Sequence, residues 1–386
     1  MRAIVAGMIG TYPLGGVAWD YGQYALGLAR LGFEVYYLED AGLPTYNPPE
    51  RDYGEDPSYS LRFLQESLAS ISPTLTNRWH FRAMDGETYG LDRAVFRDIA
   101  ADADLFLNVS GGCLLRDEYL PCRRKVLIDT DPGWNHFVQY PRWDAMPLAE
   151  RRQGFRSHDH FFTYAQRIGQ PDCLLPTYGI AWQPTRPPVV PDCWSPEPPG
   201  STWTTVMTWD NYGRPIGHDG AMYGSKELEF PRIEDVPRST TAALEIAVGG
   251  SSAPRARWRA LGWGVVDPTA MSTTPDAYRS YIQRSRGEFS VAKNIYVATR
   301  SGWFSCRSAC YLAAGRPVVV QDTGFSASLP VGDGLLAFSS RQEAVAGLAA
   351  VEAGYRRHQQ AARDIAHEYF DAGVVLADLL TRVGMG

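Results

Sequence analysis

The first 40 residues contain the pattern that most restricts the fold of this chain. An apolar run, RAIVAGM, precedes a glycine-rich loop, GTYPLGGVAWD; a segment with helical spacing, YGQYALGLARLG, then leads into a second apolar run, FEVYYLE. A strand, a short loop, a helix and a second strand form a βαβ unit, whose strands pair in parallel. Because a parallel sheet is covered by helices on both faces, this pattern predicts a doubly wound α/β fold.

The α/β pattern occurs twice, on either side of a proline-rich segment. Further apolar strands are predicted at 103–109, 125–129 and 160–164, and then QPTRPPVVPDCWSPEPPG places seven prolines within 18 residues. Such a composition is typical of a semi-rigid extended linker. Beyond it, strands are predicted at 204–209, 242–250, 263–266, 288–292, 295–299 and 316–322, with a helix over 276–286. The predicted organisation is a first Rossmann-like domain (1–183), a linker (184–200), a second Rossmann-like domain (201–355) and a C-terminal helix that packs back across both (356–386).

Length and composition exclude several classes of protein. A chain of 386 residues exceeds what one core usually supports, and 45% hydrophobic with 21% charged residues is an ordinary globular composition. The net charge of −6 provides no basic surplus for nucleic acid or anionic lipid. No run approaches the roughly 18 to 20 apolar residues of a membrane span, so we expect a cytoplasmic protein. The six dispersed cysteines lack zinc spacing, so we expect no metal site.

One stretch, SGWFSCRSACYLAAGRPVVVQDTGF over 301–325, combines the ingredients of an anion site. It turns from the strand predicted at 295–299 into a helix, and a helix N-terminus offers unpaired N–H groups to a phosphate. Gly302 would let the backbone approach a ligand, Ser301 and Ser305 would supply hydroxyls, and Arg307 would add charged donors. The alternative is purely structural, with Ser305 as an N-cap and the two aromatic residues after Gly302 as a hydrophobic plug.

The same stretch resembles the donor-binding domain of GT-B glycosyltransferases. In that family a phrase similar to AAGRPVVV leads from a helix into a glycine-containing loop, and SGWFS is similar to the Gly-Trp-Asn-Ser of its small-molecule glycosyltransferases. In the first half, LGGV and GFEV resemble the family's glycine loop and its G-H-E-V phrase. The two glutamates of the large retaining group are missing, because their positions hold Gly302 and Cys310, and so is the ribose-binding glutamate of the UDP-sugar signature. The resemblance therefore implies a divergent member, with two Rossmann-like domains facing a central cleft.

The resemblance also implies roles for particular residues. In the second domain, Lys226 would neutralise the leaving diphosphate, and Lys293 and Arg286 are alternative residues for this role. Val265 or Val266 would contact the edge of the nucleotide base. The full set of donor-binding candidates is Lys226, Val265, Val266, Ser301, Gly302, Ser305, Arg307, Asp322, Thr323 and Gly324. Asp322 would contact sugar hydroxyls, as the acidic residue of the family does. In the first domain, the acceptor-side candidates are Gly15, Gly16 and Trp19, and the candidate catalytic bases are Asp20, Asp131 and His136.

The expected activity is hexosyl transfer from a nucleotide-diphosphate sugar to a small-molecule or saccharide acceptor, as in natural-product or saccharide glycosylation. The donor is a co-substrate, so no cofactor is expected, and neither is a metal ion, since helix N-termini and basic side chains supply the positive charge. Two alternatives stay open: a sugar-nucleotide epimerase of the same fold, and a non-catalytic GT-B-like binding protein. The nucleotide, sugar, acceptor, stereochemistry and oligomeric state are also open, a homodimer included.

Overall fold

The first half of the chain forms a large parallel sheet. The computed structural model describes all residues, 1–386, and its first ten strands are β1 (Arg2–Ala6), β2 (Glu34–Glu39), β3 (Thr45–Asn47), β4 (Asp52–Gly54), β5 (Trp79–Arg82), β6 (Thr88–Gly90), β7 (Leu105–Val109), β8 (Lys125–Asp129), β9 (His160–Thr163) and β10 (Gln183–Pro184). Eight of them make one sheet in the order β10-β9-β8-β7-β1-β2-β5-β6, parallel throughout except where β6 pairs with β5. The other two, β3 and β4, form a separate antiparallel hairpin.

The second half forms its own parallel sheet. Its strands are β11 (Thr202–Thr208), β12 (Ile216–His218), β13 (Ala221–Tyr223), β14 (Ala243–Gly249), β15 (Gly264–Val266), β16 (Gly287–Ser290), β17 (Val318–Gln321) and β18 (Leu335–Phe338). Six of them follow the order β15-β14-β11-β16-β17-β18, and β12 and β13 form a hairpin. In each sheet the strand order reverses at a central point, which is the arrangement of a doubly wound fold. The predicted fold class is confirmed.

Helices cover both sheets. They are α1 (Gly15–Arg30), α2 (Ser58–Ile71), α3 (Arg93–Asp102), α4 (Pro132–Trp134), α5 (Tyr140–Asp144), α6 (Leu148–Arg151), α7 (Arg255–Leu261), α8 (Thr269–Ser272), α9 (Pro275–Gln283), α10 (Asn294–Ala298), α11 (Cys306–Ala313), α12 (Arg341–Ala353), α13 (Tyr355–Ile365) and α14 (Ala372–Arg382). The central strands are buried along their whole length, as β7 and β17 show. None of the helices is long and apolar enough to cross a bilayer.

One predicted strand is wrong. Residues 295–299, whose sequence IYVAT favours a strand, lie in the short helix α10 and the residue after it. Ile295 and Tyr296 are buried in an apolar cluster that also contains Phe137 and Ala165 from the first half. Contacts with the other half of the chain have therefore overridden the local strand preference of these side chains.

The helix of the 301–325 stretch ends as the sequence predicts. Gly315 has a left-handed φ of +66°, and the N–H groups of Gly315 and Arg316 donate to the carbonyls of Leu312 and Tyr311. These two bonds are those of a Schellman motif, which satisfies the last carbonyls of a helix. Pro317 then turns the chain into the buried strand β17.

The linker and the C-terminal helix both lie against α1. Gln23 accepts hydrogen bonds from the Val190 N–H and the Trp194 indole, both at 3.0 Å, which fixes the linker on this helix. A Cβ atom at Gly27 would lie 2.6 Å from Leu376 of α14, so glycine is what allows the two helices to approach so closely. The domain boundaries given above stay a prediction.

Candidate active site

The carboxyl ends of the two sheets meet at Asp131, which follows β8. Its carboxylate receives a salt bridge from Lys293 at 2.6 Å and hydrogen bonds from the Tyr296 and Tyr212 hydroxyls at 2.6 and 3.1 Å. All three partners belong to the second half of the chain. Ligands of open α/β sheets bind at the carboxyl ends of strands, so the junction around Asp131 is the candidate functional site.

Aromatic contacts surround this junction. The Trp303 indole donates to the Thr130 carbonyl at 3.0 Å, and the rings of Trp134 and Tyr212 stack at 5.2 Å. The structure therefore brings the opening residues of the 301–325 stretch against the loop after β8.

Lys226 is a buried cation without an anionic partner. Its side chain is 8% exposed and forms no salt bridge. Burial, together with the positive charges of Arg307 and Lys293, lowers the pKa of Lys226 to about 7, while Asp131 and Glu227 act in the opposite direction. Three cationic side chains of the second half thus share one region of the cleft. An unpaired buried charge of this kind is costly unless an anion joins it.

Arg307 is held in place by groups of its own half. Its guanidinium pairs with buried Glu288 at 2.7 Å and donates to the Val206 carbonyl and the Ser290 hydroxyl at 2.9 and 3.2 Å. Three of its five N–H donors are therefore used within the protein. Arg307 contributes positive charge to the cleft, but the open fork of donors that the sequence predicts is largely occupied.

A small cavity of about 20 Å³, room for about one water molecule, opens beside Arg307 at the ends of β16 and β17. Its polar lining includes Ser305, Ser308, Gln321 and Thr323. Ser305 precedes α11 but forms no capping hydrogen bond, so its hydroxyl is not committed to the helix. Ser305 and Thr323 are the donor-binding candidates that line this cavity together with Arg307.

The candidates Ser301, Gly302 and Gly324 lie where the two halves pack together. Ser301 has no exposed surface, and its hydroxyl donates to the Tyr296 carbonyl at 3.2 Å. Cβ atoms at Gly302 and Gly324 would lie 2.8 and 2.7 Å from the Arg167 side chain, which covers both glycines from the first half. Gly302 and Gly324 thus help to pack the two halves together, and Ser301 is buried behind them, so their contact with a diphosphate stays a prediction.

Asp322 is engaged by its own turn. Its carboxylate accepts hydrogen bonds from the Gly324 N–H at 2.8 Å and the Ser326 hydroxyl at 2.6 Å. Thr323 similarly donates to the Trp303 carbonyl at 2.5 Å. The arrangement shapes the loop after β17, and a contact between Asp322 and a donor sugar stays a prediction.

Val265 and Val266 lie on the edge strand β15. The Val265 side chain is part of the second core, and its carbonyl accepts from Arg259 at 3.1 Å. Asp267, which follows directly, forms a salt bridge with Arg51 of the first half at 2.7 Å. No contact in the structure tests base recognition by the two valines, which stays a prediction.

The three acceptor-side candidates lie where α1 packs against the start of α9. A Cβ atom at Gly15 would lie 2.2 Å from the Thr274 carbonyl oxygen, and one at Gly16 would lie 3.0 Å from Tyr278. Trp19 is 2% exposed and donates its indole N–H to the Pro275 carbonyl at 2.8 Å. Gly15 and Trp19 are buried in this contact and Gly16 is partly exposed, so a role of the three residues in acceptor binding stays a prediction.

The candidate bases have different surroundings. His136 has no exposed surface, and its two ring nitrogens already contact Asp129 at 3.1 Å and the Pro176 carbonyl at 2.7 Å. The prediction of His136 as a base is therefore corrected to a buried structural role. For Asp131, burial alone would raise the pKa, but Lys293 and Tyr296 hold the pKa of this carboxylate below its usual range. A carboxylate stabilised in this way is a weak proton acceptor.

Asp20 is the remaining candidate base. It lies on the second turn of α1, is partly exposed, and stands beside the Cys306 thiol at the start of α11. Burial raises the pKa of Asp20 to about 6, against the opposing effects of Cys306 and Arg307. Such a pKa suits a group that exchanges a proton near neutral pH.

Sequence reasoning missed several residues of this site. Tyr212, Tyr296 and Glu288 give no motif-level signal, because a tyrosine or a single glutamate is common in any strand or loop. Tyr212 does occur in the loop after β11, WDNYG, which the strand-end rule places at the cleft. The role of Tyr296 could not be predicted, since its segment was expected to be a strand.

Sequence comparison alone finds no relatives. No protein-family model matches the chain, and no curated protein has significant sequence similarity to it.

Solved structures do match it over nearly its full length. An alpha-glucosyltransferase (AGT) in complex with UDP is 10% identical, covers 99% of both chains and has a TM-score of 0.56. Anabaena Alr3699/HepE in complex with UDP and glucose is 10% identical, covers 99% of this chain and 100% of its own, and has a TM-score of 0.52. AviGT4, a glycosyltransferase involved in avilamycin A biosynthesis, is 13% identical over 99% and 97% of the two chains, with a TM-score of 0.50. The chain therefore has the GT-B fold of these glycosyltransferases.

Proposed function

We propose that the protein transfers a hexosyl group from a nucleotide-diphosphate sugar to an acceptor hydroxyl. The observation that carries this proposal is the buried amino group of Lys226, which forms no salt bridge and lies near Arg307 and Lys293. A diphosphate carries several negative charges and would compensate this cluster. The similarity in fold to proteins solved with UDP supports the same class of ligand.

In the proposed reaction, the bond between the sugar C1 and the diphosphate oxygen breaks, and its electron pair leaves on the diphosphate. Lys226 and Lys293 stabilise this developing charge, with Arg307 as a fixed positive neighbour. The acceptor oxygen bonds to C1 and its proton is released, for which Asp20 is the proposed acceptor. No metal ion is needed in this scheme, because the lysines supply the charge.

Lys293 already has a partner in Asp131 at 2.6 Å. A diphosphate that binds Lys293 must therefore compete with this carboxylate. Lys226 has no such competitor, so we expect it to contribute more to donor affinity.

The first test is nucleotide binding by wild-type protein and the K226Q variant. Isothermal titration with UDP, GDP, dTDP and ADP, each with and without magnesium, identifies the donor class. A charge-assisted hydrogen bond is worth about 1.5–3 kcal/mol, so Lys226→Gln should weaken binding by about 10- to 100-fold.

The chain offers a matched control in Lys125. The sequence contains lysine only at 125, 226 and 293, and Lys125 pairs with Asp159 at 2.9 Å at the start of β8, the opposite edge of the first sheet. K125Q should bind nucleotide as wild type does. Equal affinities of wild type and K226Q, or no binding of any nucleoside diphosphate, would disprove the proposed donor site.

Product analysis separates the alternatives. The protein is incubated with sugars of the nucleoside diphosphate that it binds, with and without a panel of acceptors. A transferase gives a glycoside, whereas an epimerase gives an isomerised nucleotide sugar. Tight nucleotide binding with neither product would favour a non-catalytic binding protein.

A further inference from the structure

Three tyrosine rings form a cluster on the hairpin β3–β4 and the loop beside it. Tyr46 and Tyr53 are directly opposite in the hairpin register, and their ring centroids are 5.2 Å apart with a tilt of 51°. Tyr12 meets Tyr53 edge-on, at 6.3 Å and 85°. We call Tyr12, Tyr46 and Tyr53 the tyrosine cluster.

The tyrosine cluster is open to a ligand in two respects. Tyr53 is 54% exposed, while Tyr12 and Tyr46 are half-buried, so ring surface faces solvent. None of the three hydroxyls has a hydrogen-bond partner in the chain. By contrast, the buried hydroxyls of Tyr24 and Tyr164 bond to each other at 2.7 Å. The cluster thus combines aromatic faces with three free hydroxyl groups.

The hairpin holds this cluster at the mouth of the cleft. Tyr12 lies in the loop that follows β1, at the carboxyl edge of the first sheet, and the Tyr46 N–H donates to the Thr11 carbonyl at 2.9 Å. At the hairpin turn, Arg51 crosses to Asp267, which directly follows β15 at the carboxyl edge of the second sheet. The hairpin therefore spans the carboxyl edges of both sheets.

A connected row of side chains leads inward from the cluster. Tyr21 lies near both Tyr12 and Asp20, and its hydroxyl donates to Ser110 at 3.1 Å. Asp20 in turn lies near Arg307, which neighbours Lys226. A row of neighbouring side chains that includes Asp20 thus connects the tyrosine cluster with the proposed diphosphate site.

We propose that the tyrosine cluster is an acceptor subsite that binds the pyranose ring of a saccharide. A sugar ring has C–H faces that pack on aromatic rings and hydroxyls that pair with the free tyrosine hydroxyls. The rings are inclined to one another at 51° and 85°, so their faces and hydroxyls point in different directions, as the C–H faces and hydroxyls of a sugar ring do. This inference rests on the proposed function, because it assigns the acceptor of the same cleft.

The test uses saturation-transfer NMR with the full-length protein and two kinds of probe. Methyl α-D-glucopyranoside, methyl β-D-galactopyranoside and methyl N-acetyl-β-D-glucosaminide represent pyranose rings, and phenol represents a flat aromatic ring. At least one glycoside should receive saturation from wild-type protein. The loss of one aromatic partner is worth about 0.5–1.5 kcal/mol, so the affinity for that glycoside should fall about 2- to 10-fold in Y46A and in Y53A.

Two further variants separate the contributions. Y53F keeps the ring and removes the hydroxyl, so it should bind more tightly than Y53A and more weakly than wild type. Y89A removes an exposed tyrosine from β6, the far edge strand of the first sheet, and should bind as wild type does. Circular dichroism of each variant verifies that the fold is retained.

Three results would overturn the proposal: no saturation transfer to any glycoside, unchanged binding in Y46A and Y53A, or preferential binding of phenol. Nucleotide titrations of the same variants make failure of this inference distinguishable from failure of the donor site. Y46A and Y53A should keep wild-type nucleotide affinity, and K226Q should lose nucleotide affinity while keeping the glycoside signal.

Discussion

At the scale of single residues, two ionisable groups of the cleft titrate close to neutral pH. Burial raises the pKa of Asp20 to about 6 and lowers the pKa of Lys226 to about 7. Asp20 is therefore ionised above about pH 6, and Lys226 is charged below about pH 7. The pair offers a carboxylate and an ammonium together in a narrow range of pH.

Nucleotide binding should depend on pH through Lys226. As the pH rises from 7 to 9.5 this side chain loses its proton, and the affinity for a nucleoside diphosphate should fall by up to about tenfold per pH unit. The fall begins near pH 7, the pKa of Lys226 in the free protein, and ends near the higher pKa that the ammonium has beside a bound diphosphate. Titrations across this range should show the dependence in wild type and not in K226Q; a flat profile in wild type would contradict the assignment.

The same lysine should reduce stability. Its pKa is 10.5 in the unfolded chain and about 7 in the folded one, so the unfolded state binds more protons between these values. The contribution of Lys226 to the free energy of unfolding therefore increases as pH rises through this window, and its destabilising effect is full below pH 7.

Replacing Lys226 with Met should consequently raise the melting temperature of the nucleotide-free protein. For a chain of this size each kcal/mol corresponds to about 2–4 °C or less. The difference between K226M and wild type should be largest at pH 6.5 and should shrink toward pH 9.5. Calorimetric scans at both pH values measure it, and a K226M protein that melts below wild type at pH 6.5 would show that the buried charge is compensated.

At the scale of elements, the loop after β8 and the loop after β16 join the two sheets. Asp131 on the first loop is held by Lys293, Tyr296 and Tyr212 of the second half. The turn that carries Lys293 and Tyr296 exists because residues 294–298 are helical and bury Ile295 between the sheets. The local sequence favours a strand there, which is why neither the element nor this junction could be read from it.

Removing the charge of Asp131 should have opposite effects on stability and on ligand binding. D131N leaves Lys293 unpaired, and a partly buried pair of this kind is worth about 1–3 kcal/mol, between the values for surface and buried pairs. The melting temperature should fall, while nucleotide affinity should increase about 2- to 10-fold because Lys293 no longer has a competing carboxylate. The control is D378N, because Asp378 forms an exposed pair with Arg382 at 2.7 Å. D378N should change neither the melting temperature nor the nucleotide affinity. Weaker nucleotide binding in D131N would show that Asp131 positions Lys293 for the ligand.

At the scale of the whole molecule, close contacts between α1 and α9 fix how the halves sit. Gly15 lies so close to the Thr274 carbonyl oxygen that a Cβ atom would be 2.2 Å from it. The Trp19 indole N–H donates to the carbonyl of the next residue, Pro275. The contact is between backbone atoms, so a larger residue can be accommodated only if one of the helices moves.

Gly15→Ala should therefore disturb the arrangement of the halves more than the fold of either. We expect the free energy of unfolding to fall by about 1–3 kcal/mol, as is typical of overpacking, and the melting temperature to fall with it. The circular dichroism spectrum should change little. Small-angle scattering should show a larger radius of gyration than for wild type. Gly54, whose Cβ position is empty within 4 Å, gives the control G54A. An unchanged melting temperature and radius would mean that the α1–α9 contact is not needed to hold the halves together.

The sequence by itself determined the repeated α/β pattern, the strands β11, β14, β15, β16 and β17 of the second sheet, and the end of α11 at Gly315. These features depend on local chemistry: apolar runs, turn-forming glycine and proline, and the period of each element. It also named Arg307 and Asp20 as candidates, because they follow a strand end or a glycine loop, and Lys226 through the family resemblance; their functional roles stay predictions.

Only the tertiary structure decided which of the candidates face the cleft. Gly15, Gly16, Trp19, Ser301, Gly302 and His136 all carry the expected residue types, yet the structure uses them for packing between helices or between halves. The difference lies in contacts between residues far apart in the chain, such as Gly302 with Arg167 or Asp131 with Lys293. Such contacts depend on how two completed sheets dock, and no local pattern of side chains encodes that docking.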